Sequence, residues 1–258
     1  MDLELTGRTV LITGGTDGLG LALATQLARE GAAVAVCGRD EERLRAAEAA
    51  LGAVGGDVLA QRADVSQVAD LEAFVGAAVS RWGRVDGIVH NAGRASAGSI
   101  EAVDDATWES DVQLKLMAAV RLTRLALPHL RARGGAVLFT LAMAAKAPGA
   151  ASEPSSVTRA AGMALMKALS KELAPDGIRV NAVLIGLIES GQWARVAANS
   201  GTGLQEFYDR FAADSGIPLG RFGRAAEFAD LGCFLLSSRA SYVTGTAINL
   251  DGGLSPAV

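Results

Sequence analysis

Tyrosine and cysteine are nearly missing from this chain, with two of each among 258 residues. The two cysteines, Cys37 and Cys233, lie in apolar stretches, so two buried, reduced thiols are expected rather than a disulfide framework. Histidine is as scarce, and no His/Cys/Asp/Glu spacing marks a metal site. Aromatic residues make up 5% of the chain, so Ala, Val and Leu must fill the interior, as suits a parallel sheet between helices. No apolar run approaches the roughly 18 residues of a membrane span, and the segment from Met1 to Thr9 has no signal-peptide character. A cytoplasmic location is expected. The net charge of -4 and the lack of a Lys/Arg cluster argue against nucleic acid and anionic lipid as partners. Prolines number only 6, and no Pro/Gly/Ser linker, composition shift or internal repeat divides the chain. Residues 1–258 therefore read as a single domain.

What is present is an end-to-end alternation of apolar runs and amphipathic stretches. Strands are expected at Arg8–Thr13, Ala33–Cys37, Val58–Arg62, Gly87–His90, Ala136–Leu141, Arg179–Leu184 and Ala247–Leu250. Helices are expected at Gly18–Glu30, Glu41–Leu51, Val68–Trp82, Asp104–Arg133, Ser156–Ala174 and Ala225–Ser237. Such βαβ succession predicts an α/β fold, a doubly wound Rossmann-type domain with a parallel sheet of about seven strands. One long irregular insertion, at about 188–219, follows the carboxyl end of a strand, where such sheets bind ligands. It reads as a substrate lid.

The first strand runs into Thr13-Gly14-Gly15-Thr16-Asp17-Gly18-Leu19-Gly20, and a helix follows at once. Gly14 permits a tight turn, Gly18 lets the backbone approach a pyrophosphate, and Gly20 lets helix and strand pack closely. The free N–H groups at the helix start then attract phosphate. Strand, glycines and helix in this order predict a dinucleotide site.

The glycine spacing T-G-x-x-x-G-x-G resembles that of the short-chain dehydrogenase/reductase family, and the likeness continues along the whole chain. Asp64-Val65 is similar to the family's adenine-contacting pair, and Asn91-Ala92-Gly93 to its N-A-G element. Ile185-Gly186 stands where the family has Pro-Gly near the nicotinamide, and Tyr242-Val243-Thr244-Gly245 and Asp251-Gly252-Gly253 also match. The resemblance implies NADP or NAD as cofactor and a homotetramer or homodimer. Gly38-Arg39 ends the second strand, where a guanidinium suits a 2′-phosphate and so NADP, while Asp17 occupies a position that is basic in many NADP-preferring relatives.

The family's catalysis rests on Asn, Ser, Tyr and Lys, and here the likeness fails. Aligned on Glu172-Leu173-Ala174-Pro175-Asp176-Gly177, the four positions carry Lys115, Ala142, Ser155 and Arg159. A serine hydroxyl is shorter and a far weaker acid than a phenol, and an arginine does not exchange protons near neutrality. Lys115 is a candidate proton carrier if desolvated, or a structural helix residue. Ser155 and Ser156 are candidate hydrogen-bond donors or helix caps. Arg159 remains a candidate for holding the nicotinamide ribose. Lys146 and Glu153 reach a substrate or stay solvated, and His90 reads as structural. Gln192-Trp193, Phe207-Tyr208 and Phe211 in the insertion suggest an apolar or ring-bearing small-molecule substrate, or packing of the insertion itself. Three functions stay open: an oxidoreductase acting on a carbonyl, alcohol or imine with a non-standard proton source, a catalytically silent NAD(P)-binding sensor or partner subunit, and a lyase or isomerase that uses the cofactor transiently.

Overall fold

Short runs of branched and small apolar residues, bounded by glycine or polar turns, become strands, and those at the centre of the sheet are buried on both faces. In the computed structural model, which describes residues 1–258 apart from the Ser200 side chain, they are β1 (Thr9–Thr13), β2 (Ala33–Gly38), β3 (Asp57–Arg62), β4 (Gly87–His90), β5 (Ala97–Gly98), β6 (Gly135–Ala142), β7 (Glu153–Pro154), β8 (Ile178–Ile185) and β9 (Ala247–Leu250). The helices are α1 (Gly18–Arg29), α2 (Glu41–Ala53), α3 (Val68–Trp82), α4 (Asp105–Val112), α5 (Ala118–Arg131), α6 (Ser155–Glu172), α7 (Gly191–Ser200), α8 (Leu204–Asp214) and α9 (Ala225–Leu236).

Seven strands form one parallel sheet, as the sequence predicts, and their order is β3-β2-β1-β4-β6-β8-β9. The order reverses between β1 and β4, which opens a crevice at the carboxyl ends of those strands. Alternation along β1 divides the core. Leu11 faces a layer with Phe74 of α3, Leu122 of α5 and Phe139 of β6, while Val10 and Ile12 face Leu23 and Leu27 of α1 and Phe228 of α9.

Two expectations change. The stretch Asp104–Arg133 is not one helix, because a π-helical turn, Gln113–Met117, separates α4 from α5. Asp111, in the last turn of α4, and Lys115, in the π-turn, both point inward, so two charged groups are satisfied by each other inside the layer. The 188–219 insertion is not irregular, since it holds α7 and α8. Phe207, Tyr208, Ala212, Ile217 and Phe222 form a small core of their own, with Trp193 and Phe211 against it. Trp193 lies 5.1 Å from Phe211 and 5.6 Å from Phe222 between ring centroids. Aromatic spacing in that segment therefore serves its own packing.

Candidate active site

A cleft of about 710 Å³ opens at the switch point and runs from the α1 amino terminus to α6. Its floor is set by Thr13 and Asn91. The Thr13 hydroxyl accepts the N–H groups of Asn91 and Ala92, each at 3.1 Å, and donates to the Val89 carbonyl. The Asn91 amide donates to the carbonyls of Thr13 at 3.1 Å and Gly14 at 2.9 Å. These bonds lock the tips of β1 and β4 together. Gly14 has φ 64°, a conformation that side chains resist, and a Cβ there would lie 3.0 Å from the Ala92 Cα. A Cβ on Gly20 would run into the Gly14 carbonyl and lie 2.5 Å from the Asn91 amide nitrogen. Thr13 and Gly20 thus sit beneath the cleft, whereas Gly14, Thr16, Asp17, Gly18, Leu19, Asn91, Ala92 and Gly93 line it.

Asp17 caps α1 by accepting the Gly18 N–H at 2.7 Å. Its other oxygen stands 3.7 Å from both Arg43 and Arg195. At the next bend, the Asp40 carboxylate accepts the Arg43 N–H and caps α2. Arg39, with a side chain 69% exposed, lies 3.9 Å from Asp64, whose second oxygen accepts the Ser66 N–H and hydroxyl. Arg39, Arg43, Asp64 and Val65 all line this end of the cleft. Arg43 was not singled out from the sequence, because its helix position reads as ordinary surface.

At the opposite end stand Ala142, Ser155 and Arg159, on the carboxyl end of β6 and the first two turns of α6, with Lys115 facing them from the π-turn. The Lys115 Nζ donates to the Ser155 Oγ at 2.7 Å and lies 2.6 Å from the Asp111 Oδ1. The Asp111 Oδ2 accepts from Thr158 at 2.7 Å. Burial lowers the Lys115 ammonium from 10.5 to about 8, with Arg159 and Arg94 adding repulsion and the Asp111 ion pair opposing the shift. Ser155 also accepts the Ser96 backbone N–H at 3.1 Å. Neither Ser155 nor Ser156 caps α6, whose cap position is Pro154. Arg159 donates to the Thr140 carbonyl at 2.7 Å, and burial pulls its guanidinium below the ordinary value.

This cradle fits a dinucleotide. A side chain on Gly14 or Gly20 would collide with the backbone or the Asn91 amide that shape it, the α1 start offers N–H groups, and Arg39 and Arg43 stand at one end. A family model described as enoyl-(acyl carrier protein) reductase matches residues 14–255. The chain is 37% identical to the putative ketoacyl reductase of the monensin polyketide synthase of Streptomyces virginiae, over 97% of this chain and 98% of that one. A short-chain oxidoreductase from Pseudomonas aeruginosa PAO1, described as containing an atypical catalytic center and solved with NADPH bound, superposes with TM-score 0.93 at 35% identity, covering 98% of this chain and 99% of that one. L-sorbose reductase from Gluconobacter frateurii, solved with NADPH and L-sorbose, gives 0.94 at 34% identity and covers the whole of both chains. The chain belongs to the short-chain dehydrogenase/reductase family.

In this short-chain dehydrogenase/reductase, several sequence candidates lie outside the cleft lining. Lys146 is tied to the Ala247 carbonyl at 3.0 Å and to Asn249 at 3.1 Å. Glu153 pairs through its backbone with Gly98, where β7 meets β5. His90 bonds Thr123 at 2.9 Å, and burial lowers its pKa to about 3, so the ring stays neutral. Gly186 lines the cleft, as do Gln192 and Trp193, while Phe207, Tyr208 and Phe211 do not. Asp111 was missed although its spacing of four residues from Lys115 is a sequence signal for one helix face; Ser96, Thr158 and Arg94 are brought to Ser155, Asp111 and Lys115 by the tertiary fold. Among the described residues, no group of three His, Cys, Asp or Glu side chains is placed for a metal, and no helix is long and apolar enough to cross a membrane.

Proposed function

We propose that this chain is an NADP(H)-dependent oxidoreductase acting on a small carbonyl, alcohol or imine, with Ser155 as the proton donor and Lys115 as its supply. The four positions that carry the family's usual Asn, Ser, Tyr and Lys hold Lys115, Ala142, Ser155 and Arg159, so the usual relay is replaced. One observation carries the reading. The Ser155 oxygen already accepts two hydrogen bonds, from Lys115 and from the Ser96 N–H, so its own proton is left for a partner in the cleft. The NADPH-bound Pseudomonas relative with an atypical catalytic center supports both the cofactor and the departure from the usual residues.

Gly14, Thr16, Gly18 and Leu19, with the backbone of Asp17, would hold the diphosphate, Asp64, Val65 and Asn91 to Gly93 the adenosine and the middle of the molecule, and Arg39 with Arg43 the 2′-phosphate. Arg159 and Gly186 would flank the nicotinamide ribose. The bound cofactor supplies or accepts a hydride at the reacting carbon. As negative charge develops on a carbonyl oxygen, Ser155 releases its proton to it, and the Lys115 ammonium reprotonates Ser155. Asp111 holds Lys115 in line, and Arg159 stays cationic throughout. Ala142 offers the carbonyl no hydroxyl, so polarisation comes from the positive field of Arg94, Lys115 and Arg159. Gln192 and Trp193 close the cleft from the insertion, which acts as a lid.

Titration with NADPH and NADH by fluorescence, followed by carbonyl, imine and alcohol panels read by NADPH absorbance, tests this. Turnover that Ser155→Ala abolishes supports it. Tight binding without turnover would mark a silent sensor or partner subunit instead.

A further inference from the structure

The Asp111–Lys115–Ser155 chain has the parts of a nucleophile as well as of a proton donor. An alcohol becomes a nucleophile when a neighbouring base takes its proton and when fixed donors stabilise the alkoxide. Lys115 is within 2.7 Å of the Ser155 Oγ, and the Ser96 N–H donates to the same atom. Ser155 and Lys115 both line the open cleft, with the Lys115 side chain only 1% exposed and that of Asp111, behind it, 0%. The Lys115 Nζ is therefore largely desolvated, yet within reach of a leaving group or a water held beside the Ser155 Oγ. Ala142 and Ala144 line the same cleft as Ser155, and their side chains are small enough to leave room for an acyl group.

We propose that Ser155 is an acylatable nucleophile, so that the cofactor-free protein cleaves activated carboxylic esters and thioesters through a Ser155 acyl-enzyme. In the first step the neutral Lys115 amine takes the Ser155 proton as Oγ bonds to the acyl carbon. The bond to the leaving alcohol or thiol then breaks, and that group departs with the proton from the Lys115 ammonium. In the second step water attacks the acyl-enzyme, Lys115 takes a water proton, and the carboxylic acid leaves as Ser155 recovers its hydrogen. No electron changes hands, and water is the only co-reactant. Arg94 and Arg159 line the same end and supply positive potential to the oxyanion of both steps. The groups facing Lys115 are Asp111 from α4, Arg159 from α6 and Arg94 from the loop after β4. Their balance leaves a usable fraction of neutral amine in mildly alkaline solution.

The activity needs no dinucleotide, so its test is separate from that of the reductase reading. The purified, cofactor-free protein is incubated with p-nitrophenyl acetate at pH values from neutral to mildly alkaline. Nitrophenolate release is followed, and the protein is digested and weighed by mass spectrometry. The expected result is a burst of release with one acetyl group on the peptide that contains Ser155. Ser155→Ala, which removes one oxygen from a partly exposed site, should cut the burst by about 100-fold, as loss of an activated nucleophile does. The paired change Asp111→Asn with Lys115→Met removes both buried charges together and should slow acylation to a similar degree while Ser155 remains. NADPH binding by each variant reports that the fold is intact. No acetylation of the Ser155 peptide, or a burst unchanged in Ser155→Ala, overturns the proposal.

Discussion

The Nζ of Lys115 lies 2.6 Å from the Asp111 Oδ1, and both side chains are sealed from solvent. A buried ion pair tolerates poorly the loss of one member, because the survivor is left charged in a medium that solvates it badly. Asp111→Asn should therefore destabilise the fold by roughly 3–5 kcal/mol, or drive Lys115 neutral. Denaturant melts of the variant and of the double change with Lys115→Met check this. The double change should be the less damaged of the two.

The same pair sets the pH dependence of the reaction. Burial brings Lys115 down to about 8, so the ammonium that resupplies Ser155 is lost as pH rises through that value. Carbonyl reduction should fall through about pH 8, and alcohol oxidation, which needs the neutral amine, should rise there. Asp111 favours the charged form, so Asp111→Asn should move both limbs to lower pH. Profiles of kcat/KM in the two directions report it.

Cofactor choice should follow Arg39. Asp40 is engaged as the α2 cap and Asp64 with Ser66, while the Arg39 guanidinium projects into solvent at the cleft mouth, where a 2′-phosphate would meet it. Arg39→Ala should weaken NADPH by about tenfold, near 1.4 kcal/mol, and leave NADH almost unchanged. Fluorescence titrations at fixed ionic strength measure the difference, since an exposed guanidinium is screened by salt.

Cys37 and Cys233 should ignore thiol reagents while the protein is folded. Burial pushes each thiol up to about 12, far from the reactive thiolate. Both should react at once in denaturant, counted with a chromogenic disulfide.

The cradle was legible in the sequence because its requirements are local. A glycine at Gly14 or Gly20 answers to its immediate neighbours, and the strand and helix on either side announce themselves by period. The sheet was legible for the same reason, since seven apolar runs admit few parallel arrangements. The chemistry was not legible. Lys115 could be picked out by position, but its pairing with Ser155 spans forty residues and depends on a π-turn that leaves no periodic trace. Asp111 reads as one more acidic helix residue until the fold buries it. The aromatic residues of the insertion fitted a substrate or self-packing equally well in sequence, and in the fold Phe207, Tyr208 and Phe211 pack on one another while Trp193 also reaches the cleft.

The central claim is that Ser155 hands the proton to the substrate while the cradle holds NADPH independently. It is tested most directly by single-turnover NADPH oxidation with a responsive carbonyl, wild type beside Ser155→Ala, with NADPH affinity measured for both. Equal affinities are expected, with a loss of about 100-fold or more in the rate of the variant. Equal rates in the two proteins, or a wild type that binds NADPH and never oxidises it, would contradict it.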